Sequence, residues 1–247
     1  MKFALQAEYK DTIEAVLVVE KIKRQFIHEL IEVPNNMVSF LNKDDMKDYI
    51  PIGDIPFVTK WIKKAYGIEK MNPIEVPKCL REEEFLGRKY EFLLGSEIKE
   101  GNKFIKDVDT LKNFSYSGYV DKSMLNDDTL YQVSENIAIK AEFRVYVFGG
   151  QISNMAQYDG DWTIFPDTDK IKKMVKVVNE HEKHLKSYTL DIAVTADNNT
   201  VVLEVHNFVA IGLYNSLIDS NILYAYRDGI DYLLNDNKSI RKEMNLC

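Results

Sequence analysis

The clearest pattern in the chain runs from Ile137 to Phe148. Ile137, Ile139, Ala141, Phe143, Val145 and Val147 alternate with Ala138, Lys140, Glu142, Arg144 and Tyr146. Successive side chains of a strand point to opposite faces, so this spacing predicts a strand with one apolar face and one charged stripe. Gly149 and Gly150 predict a tight turn, with Gln151 to Met155 returning as partner. The stripe of Lys140, Glu142 and Arg144 fits an exposed salt-bridge ladder as well as it fits a site for phosphate or carboxylate.

A second period-two pattern spans Tyr188 to Phe208. Two runs rich in β-branched and aromatic residues, Tyr188 to Thr195 and Thr200 to Phe208, flank Ala196-Asp197-Asn198-Asn199. Asn and Asp tolerate the left-handed backbone of tight turns, so the stretch predicts a β-hairpin. Tyr188, Leu190, Ile192 and Val194 share one face of the first strand, as do Val201, Leu203 and Val205 on the second. A four-residue loop sets Asp191 opposite Glu204, and a two-residue loop sets it opposite His206. Either way Asp191, Glu204 and His206 lie on one surface; an odd loop or a bulge breaks this register. Facing carboxylates repel unless something positive or neutral sits between them. A divalent cation answers that, and oxygen ligands with few protein groups suit Mg²⁺. A solvent-facing hairpin with scattered acids has the same pattern.

The remaining elements follow from similar signals. Lys2 to Gln6 predicts a strand, Asp11 or Thr12 caps a helix to about Arg24, and Phe26 to Val33 predicts a second strand, together a parallel βαβ start. Asp54 caps a helix with Pro56 in its first turn and Gly67 at its end. Asn72 to Pro77 reads as a linker and Pro77 to Arg88 as a short helix. Tyr90 to Leu94 and Lys103 to Val108 are expected to form a hairpin around Glu100-Gly101-Asn102. Phe104, Lys106 and Val108 share a face there, and an ammonium between Phe and Val needs a partner. Asp109 to Tyr119 reads as a polar loop. Helices are expected from Asp167, Thr168 or Asp169 to about Lys186, and from about Ser220 to Asn235.

Composition narrows the function classes. Of 247 residues, 45% are hydrophobic and 29% charged, as in ordinary globular proteins. The net charge of -7 supplies no global basic field, so a nucleic-acid partner is not favoured. Two cysteines, Cys79 and Cys247, build neither a disulfide framework nor a Cys-rich zinc site. No apolar run approaches the roughly 20 residues of a membrane span, and MKFALQAEYKD does not read as a secretory signal. A cytoplasmic, reducing location is expected, without a membrane partner. No Ser-His-Asp triad or Cys nucleophile stands out.

The hairpin spacing D-x₁₂-E-x-H resembles the metal-binding hairpin of ATP-grasp enzymes, where an Asp precedes a Glu-x-Asn and these side chains hold Mg²⁺ against ATP phosphates. His206 stands where the common pattern has Asn, and Asn207 follows one position later. Other pieces match in order: PIGDIPFV, FIKD with LKNFSYSG, VSENIAIKAEFRVYVFGGQI, and YTLDIAV with VVLEVHNFVAIGLY. Together they resemble a divergent ATP-grasp clade, found in phages and bacteria among others, that includes the eukaryotic cell-division-cycle factor assisting initiation-factor assembly.

The resemblance implies an α+β chain with the ATP-grasp fold, two α/β subdomains sandwiching ATP, after a small N-terminal α/β domain. Residues 1–75 would form that first domain and 76–247 the ATP-grasp domain, with 76–135 its smaller lid and 136–247 its metal-binding part. Lys106 is expected at the ATP phosphates and Lys112 in a loop closing on them. Gln132, Val133, Ser134 and Glu135 would form the adenine–ribose hinge, with Glu135 toward the ribose. Arg144 would meet the γ-phosphate or an acyl phosphate, making Arg144 and Lys112 the catalytic cations, with Glu142 orienting Arg144 or Lys140. Asp191 and Glu204 would hold Mg²⁺, with His206 or Asn207 in the place of Asn. The implied activity is an ATP- and Mg²⁺-dependent carboxylate–amine ligase working through an acyl phosphate on an unknown peptide, protein or small molecule. The alternative is an ATP-binding assembly factor with little turnover.

Overall fold

The computed structural model describes residues 1–25, 27–72, 74–110, 114–214, 221–236 and 243–244. Lys2–Gln6 (β1), Ile13–Gln25 (α1), Glu29–Val33 (β2), Lys43–Met46 (α2), Tyr49–Ile52 (β3) and Ile55–Tyr66 (α3) come first. Thr12 Oγ1 accepts the Ala15 N–H, and Ala15, Val18 and Ile22 turn inward at helical spacing. β1 pairs in parallel with both β2 and β3, giving the sheet order β2-β1-β3. β2 begins at Glu29, later than expected, because α1 runs through Gln25.

At α3 the local signals act as expected. Asp54 Oδ1 accepts the Phe57 N–H at 2.8 Å, and Gly67 closes the helix in the left-handed region. Gln6 at the end of β1 reaches the same cap. Its Oε1 accepts the Asp54 N–H at 2.8 Å and its Nε2 donates to Asp54 Oδ2 at 3.1 Å. A Cβ on Gly53 would lie 2.6 Å from Gln6 Oε1 and 2.7 Å from a Phe57 ring carbon, so this junction needs glycine.

The middle of the chain departs from expectation. Pro77 to Arg88 is not one helix; a 3₁₀ turn, Lys78–Leu80, precedes the single turn Glu83–Leu86 (α4). Tyr90–Leu94 (β4) does not pair with Gly101–Asp107 (β5). Ser115–Val120 (β6) and Leu130–Ser134 (β7) complete a sheet of order β4-β7-β5-β6, with β7 between the expected hairpin partners. After β4 the chain turns sharply: Glu97 Oε2 accepts the Leu94 N–H, and Gly95 N–H donates to the Thr129 carbonyl. These bonds tie the turn to the approach to β7 rather than to β5. β6 falls where a loop was expected, because Gly118 and the serines masked an alternation that pairing with β5 completes.

The last sheet has the order β11-β10-β8-β9, all antiparallel, from Ile139–Phe148 (β8), Gln151–Gly160 (β9), Tyr188–Thr195 (β10) and Thr200–Asn207 (β11). Phe148 pairs with Gln151 across Gly149 and Gly150, both at positive φ (55° and 77°), as a two-residue hairpin turn requires. Thr168–His181 (α5), capped by Asp167, packs Ile171, Met174, Val175 and Val178 against Phe143, Val145, Leu190 and Ile192.

Ile222–Asp236 (α6) packs elsewhere. Its Ile222, Leu223 and Tyr226 join Phe3, Leu5 and Ile52 of the parallel sheet, and Ile230 and Leu233 join Phe57 and Trp61 of α3. The end of the chain therefore completes the core of its beginning. Ser220, the expected start of this helix, lies outside the described residues.

Candidate active site

The hairpin β10–β11 carries two irregularities that cancel. Val194 pairs with Thr200, so five residues, not four, make the loop, with Asn198 at φ 65°. Continued down the strands, that register would set Asp191 opposite Leu203. A bulge between Asp191 and Ile192 restores the pairing of Asp191 with Glu204 and of Thr189 with His206. The bulge also places Val202, rather than Leu203, in the apolar core beside Val205. Leu203 instead lines the cleft above. Arg88 Nη1 donates to the Val202 carbonyl at 2.8 Å and to the Leu86 carbonyl at 3.0 Å, giving the bulge a buried donor.

The restored register gathers three acceptors. One ligand atom from each of Asp191, Glu204 and His206 lies within 4.8 Å of the others. His206 Nε2 stands 3.0 Å from Glu204 Oε2 and 3.7 Å from Asp191 Oδ2. Two carboxylates supply the oxygens that Mg²⁺ prefers and leave positions for water and phosphate, and the imidazole adds a nitrogen more familiar from transition-metal sites. The donor set fits a divalent cation.

Two cations flank these acids. Arg144 on β8 is the direct cross-strand neighbour of Asp191. Its Nε and Nη2 donate to the two Asp191 oxygens at 2.7 Å each, and Nη1 donates to the Gly212 carbonyl at 3.3 Å. Its guanidinium lies 5.0 Å from the Tyr214 ring and 5.9 Å from that of Tyr158, and the two rings stack on each other. Burial alone would lower the Arg144 value, but the Asp191 carboxylate outweighs it and raises it. Lys106 Nζ, on β5, stands 3.1 Å from Glu204 Oε1 and 3.3 Å from Glu75 Oε1. Burial pulls the Lys106 ammonium down, yet the two carboxylates hold it above its ordinary value. For Glu204, burial acts upward, but the His206 hydrogen bond and Lys106 draw it well below the usual carboxylate range.

Two cavities meet at this network. A cleft of about 390 Å³ between the β4–β7 sheet and the β8–β11 sheet is lined by Phe104, Gln132, Ser134, Glu135, Ile139 and Leu203, among others, and by Asp191 and Glu204. A second cavity of about 180 Å³ has apolar walls from Ile55, Ile74, Val209 and Ile211, with Arg144, His206 and Tyr214 also on it. Glu204 lines both. Asn207, one position beyond His206, opens onto the second cavity because the strand ends there: Val209 N–H turns back to the Asn207 carbonyl.

Lys106, Arg144, Asp191, Glu204 and His206 thus form one cluster. Gln132, Ser134 and Glu135 line the cleft, and Glu135 Oε2 accepts the Lys89 N–H at 3.0 Å. Val133 turns away from the cleft, into the core of the β4–β7 sheet with Ile105 and Tyr131. Glu142 orients neither Arg144 nor Lys140; it accepts from the Tyr158 hydroxyl at 2.7 Å, while Lys140 donates to Asn198 on the hairpin loop. Lys112 lies outside the described residues. Sequence reasoning missed Glu75, Arg88, Tyr158 and Tyr214. The triplet Ile74-Glu75-Val76 carries a usable signal, an acid between two apolar residues in extended chain.

Comparison with known proteins identifies the family and the fold. A family model described as the ATP-grasp domain of R2K clade family 2 matches residues 85–222. A RimK domain ATP-grasp protein from Sphaerobacter thermophilus is similar in structure, at TM-score 0.56 and 14% identity over 96% of this chain and 99% of that one. D-alanine–D-alanine ligase from Bacillus anthracis complexed with ATP superposes at TM-score 0.54 and 14% identity over 99% of both chains. The macrocyclase MdnC of Microcystis aeruginosa, bound with precursor peptide MdnA, superposes at TM-score 0.53 and 14% identity over 95% of this chain and 99% of that one. No curated protein matches in sequence. These likenesses share the ATP-grasp fold, and because the family model spans more than half of the residues, the chain belongs to the R2K clade of ATP-grasp domains, family 2.

Proposed function

We propose that the protein is an ATP- and Mg²⁺-dependent carboxylate–amine ligase. One observation carries the reading: Glu204, within the cluster of three cation acceptors, lines both the 390 Å³ cleft and the 180 Å³ cavity. In this reading the larger cleft takes the nucleotide and the smaller one the acid to be activated. The division into residues 1–75, a lid at 76–135 and a metal-binding part at 136–247 fits the three sheets, with α6 returning to the first.

Within the cleft, Phe104, Ile139 and Leu203 offer apolar surfaces to a flat base, and Gln132, Ser134 and Glu135 offer polar groups at its rim. Asp191, Glu204 and His206 would hold Mg²⁺, with Asn207 adjoining, and the cation would neutralise charge on the transferring phosphoryl group. Lys106 faces the same point from β5. Arg144, on the smaller cavity and bonded to Asp191 of the cleft, is placed to meet the γ-phosphate or the acyl phosphate formed when the substrate carboxylate attacks. Phosphoryl transfer asks a protein chiefly for positioning and charge neutralisation, which these side chains supply without a protein nucleophile. An amine then displaces phosphate. The walls of Ile55, Ile74, Val209 and Ile211, with Arg144 and His206 beside them, suit a peptide or small-molecule acid.

Among the described residues no helix is long and apolar enough to cross a membrane. The test is incubation with ATP, Mg²⁺ and a panel of carboxylic acids and amines, read by phosphate release and product mass. Acid-dependent phosphate release with a condensed product supports the ligase. ATP binding with no release from any acid would favour the assembly factor.

A further inference from the structure

Glu75 comes from the segment between the parallel sheet and the lid, yet its carboxylate ends inside the site. It is buried, and its nearest cation is Lys106 Nζ at 3.3 Å, with the Tyr90 hydroxyl at 3.5 Å. Burial pushes the Glu75 carboxyl upward, against the pull of Lys106. Three separate regions, the linker, the lid strand β5 and the hairpin strand β11, therefore converge on one ammonium.

The charges show what Glu75 adds. Asp191 is matched by Arg144 and Glu204 by Lys106, so without Glu75 the two ligand carboxylates would be neutralised by the protein's own cations. A nearly buried ammonium does not stay unpaired. With Glu204 as its only partner, Lys106 would compete with a metal ion for that carboxylate. A second, deeper carboxylate lets the ammonium keep a partner when Glu204 turns to a cation.

We propose that Glu75 is a positioning residue that anchors Lys106, so that Glu204 is free to ligate a divalent cation. The proposal rests on the reading of Glu204 as a cation ligand in the preceding section. Glu75 touches neither metal nor substrate in this scheme. It acts through Lys106.

The test measures Mn²⁺ binding to the nucleotide-free full chain by electron paramagnetic resonance, in wild type, Glu75→Gln, Lys106→Met and the double variant. Removing the anchor should weaken Mn²⁺ binding about tenfold, the low end for loss of a residue supporting a metal ligand. With Met at position 106 the same Gln substitution should change little, since no ammonium remains to anchor. Unchanged Mn²⁺ affinity in Glu75→Gln overturns the proposal, and so does equal weakening in both backgrounds, which would make Glu75 a bare charge. Absence of Mn²⁺ binding in wild type overturns it as well. Should Glu75→Gln not fold, Glu75→Asp, which draws the carboxylate back, takes its place with the same expected direction. Calorimetry of ATP with Mg²⁺ separates the two readings. The predicted Mn²⁺ pattern without ATP binding leaves the anchor standing and removes the ligase. Wild-type ATP binding with an unaffected Glu75→Gln does the reverse.

Discussion

Arg144 and Asp191 are direct cross-strand neighbours joined by two parallel hydrogen bonds of 2.7 Å, and both side chains are almost wholly buried. A bidentate pair of this kind fixes two rotamers at once. It also means that the carboxylate assigned to the cation is shared with the guanidinium assigned to phosphate. Under the proposed function, loading of the cleft would redistribute that bond.

Breaking the pair from one side should be costly. Arg144→Met leaves the Asp191 carboxylate buried without its partner, and the expected loss of folding stability is about 3 kcal/mol or more. Arg144→Met combined with Asp191→Leu should recover much of it, because two apolar side chains replace two charges. Urea unfolding of the single and double variants checks both outcomes.

Glu204→Ala should abolish Mg²⁺-dependent ATP binding while leaving the fold, since Glu204 is partly exposed to the cleft. Calorimetry with and without Mg²⁺ reads the first, and circular dichroism the second. Full retention of the Mg²⁺ dependence would remove the hairpin as the cation site.

The acid side of the stability profile should report Glu204. Its folded-state value is depressed, so the native state binds its proton less readily than the unfolded chain. The associated stability is complete above the unfolded value, near 4.5, and is lost as pH falls toward the folded one. The stability difference between wild type and Glu204→Gln should therefore be largest at neutral pH and shrink below about pH 4.5. Urea midpoints across that range would show no such convergence if Glu204 were unpaired.

Asp54→Ala removes an N-cap and, with it, the carboxylate that Gln6 Nε2 grips from β1. A loss of about 1–2 kcal/mol is expected, seen as a lower thermal midpoint. Asp54→Asn, which keeps the cap acceptor, should recover most of the loss.

Much of the architecture could be read from local pattern. The alternation in β8, the Gly149–Gly150 turn and the caps at Thr12, Asp54 and Asp167 all depend on neighbours within a few residues, and all appear where expected. The hairpin was legible too, but its facing acids were predicted from a loop of the wrong length. A bulge that no pattern announces restored the register. Periodicity singled out Lys106, Arg144, Asp191 and Glu204, and the resemblance gave them roles at a nucleotide and a cation.

What the sequence alone determined, then, was the outer strands and helices and the residue types able to hold phosphate and a cation, because backbone propensity and side-chain periodicity act locally. Tertiary structure decided the partners. Lys106 meets Glu75 and Glu204 across 31 and 98 positions of chain, and Arg144 meets Asp191 across 47. It also decided that β7 parts β4 from β5, that Val133 faces the core of their sheet, and that α6 returns to the first sheet. Such choices depend on which buried surfaces and charges satisfy one another at a distance, a balance that no short stretch of sequence contains.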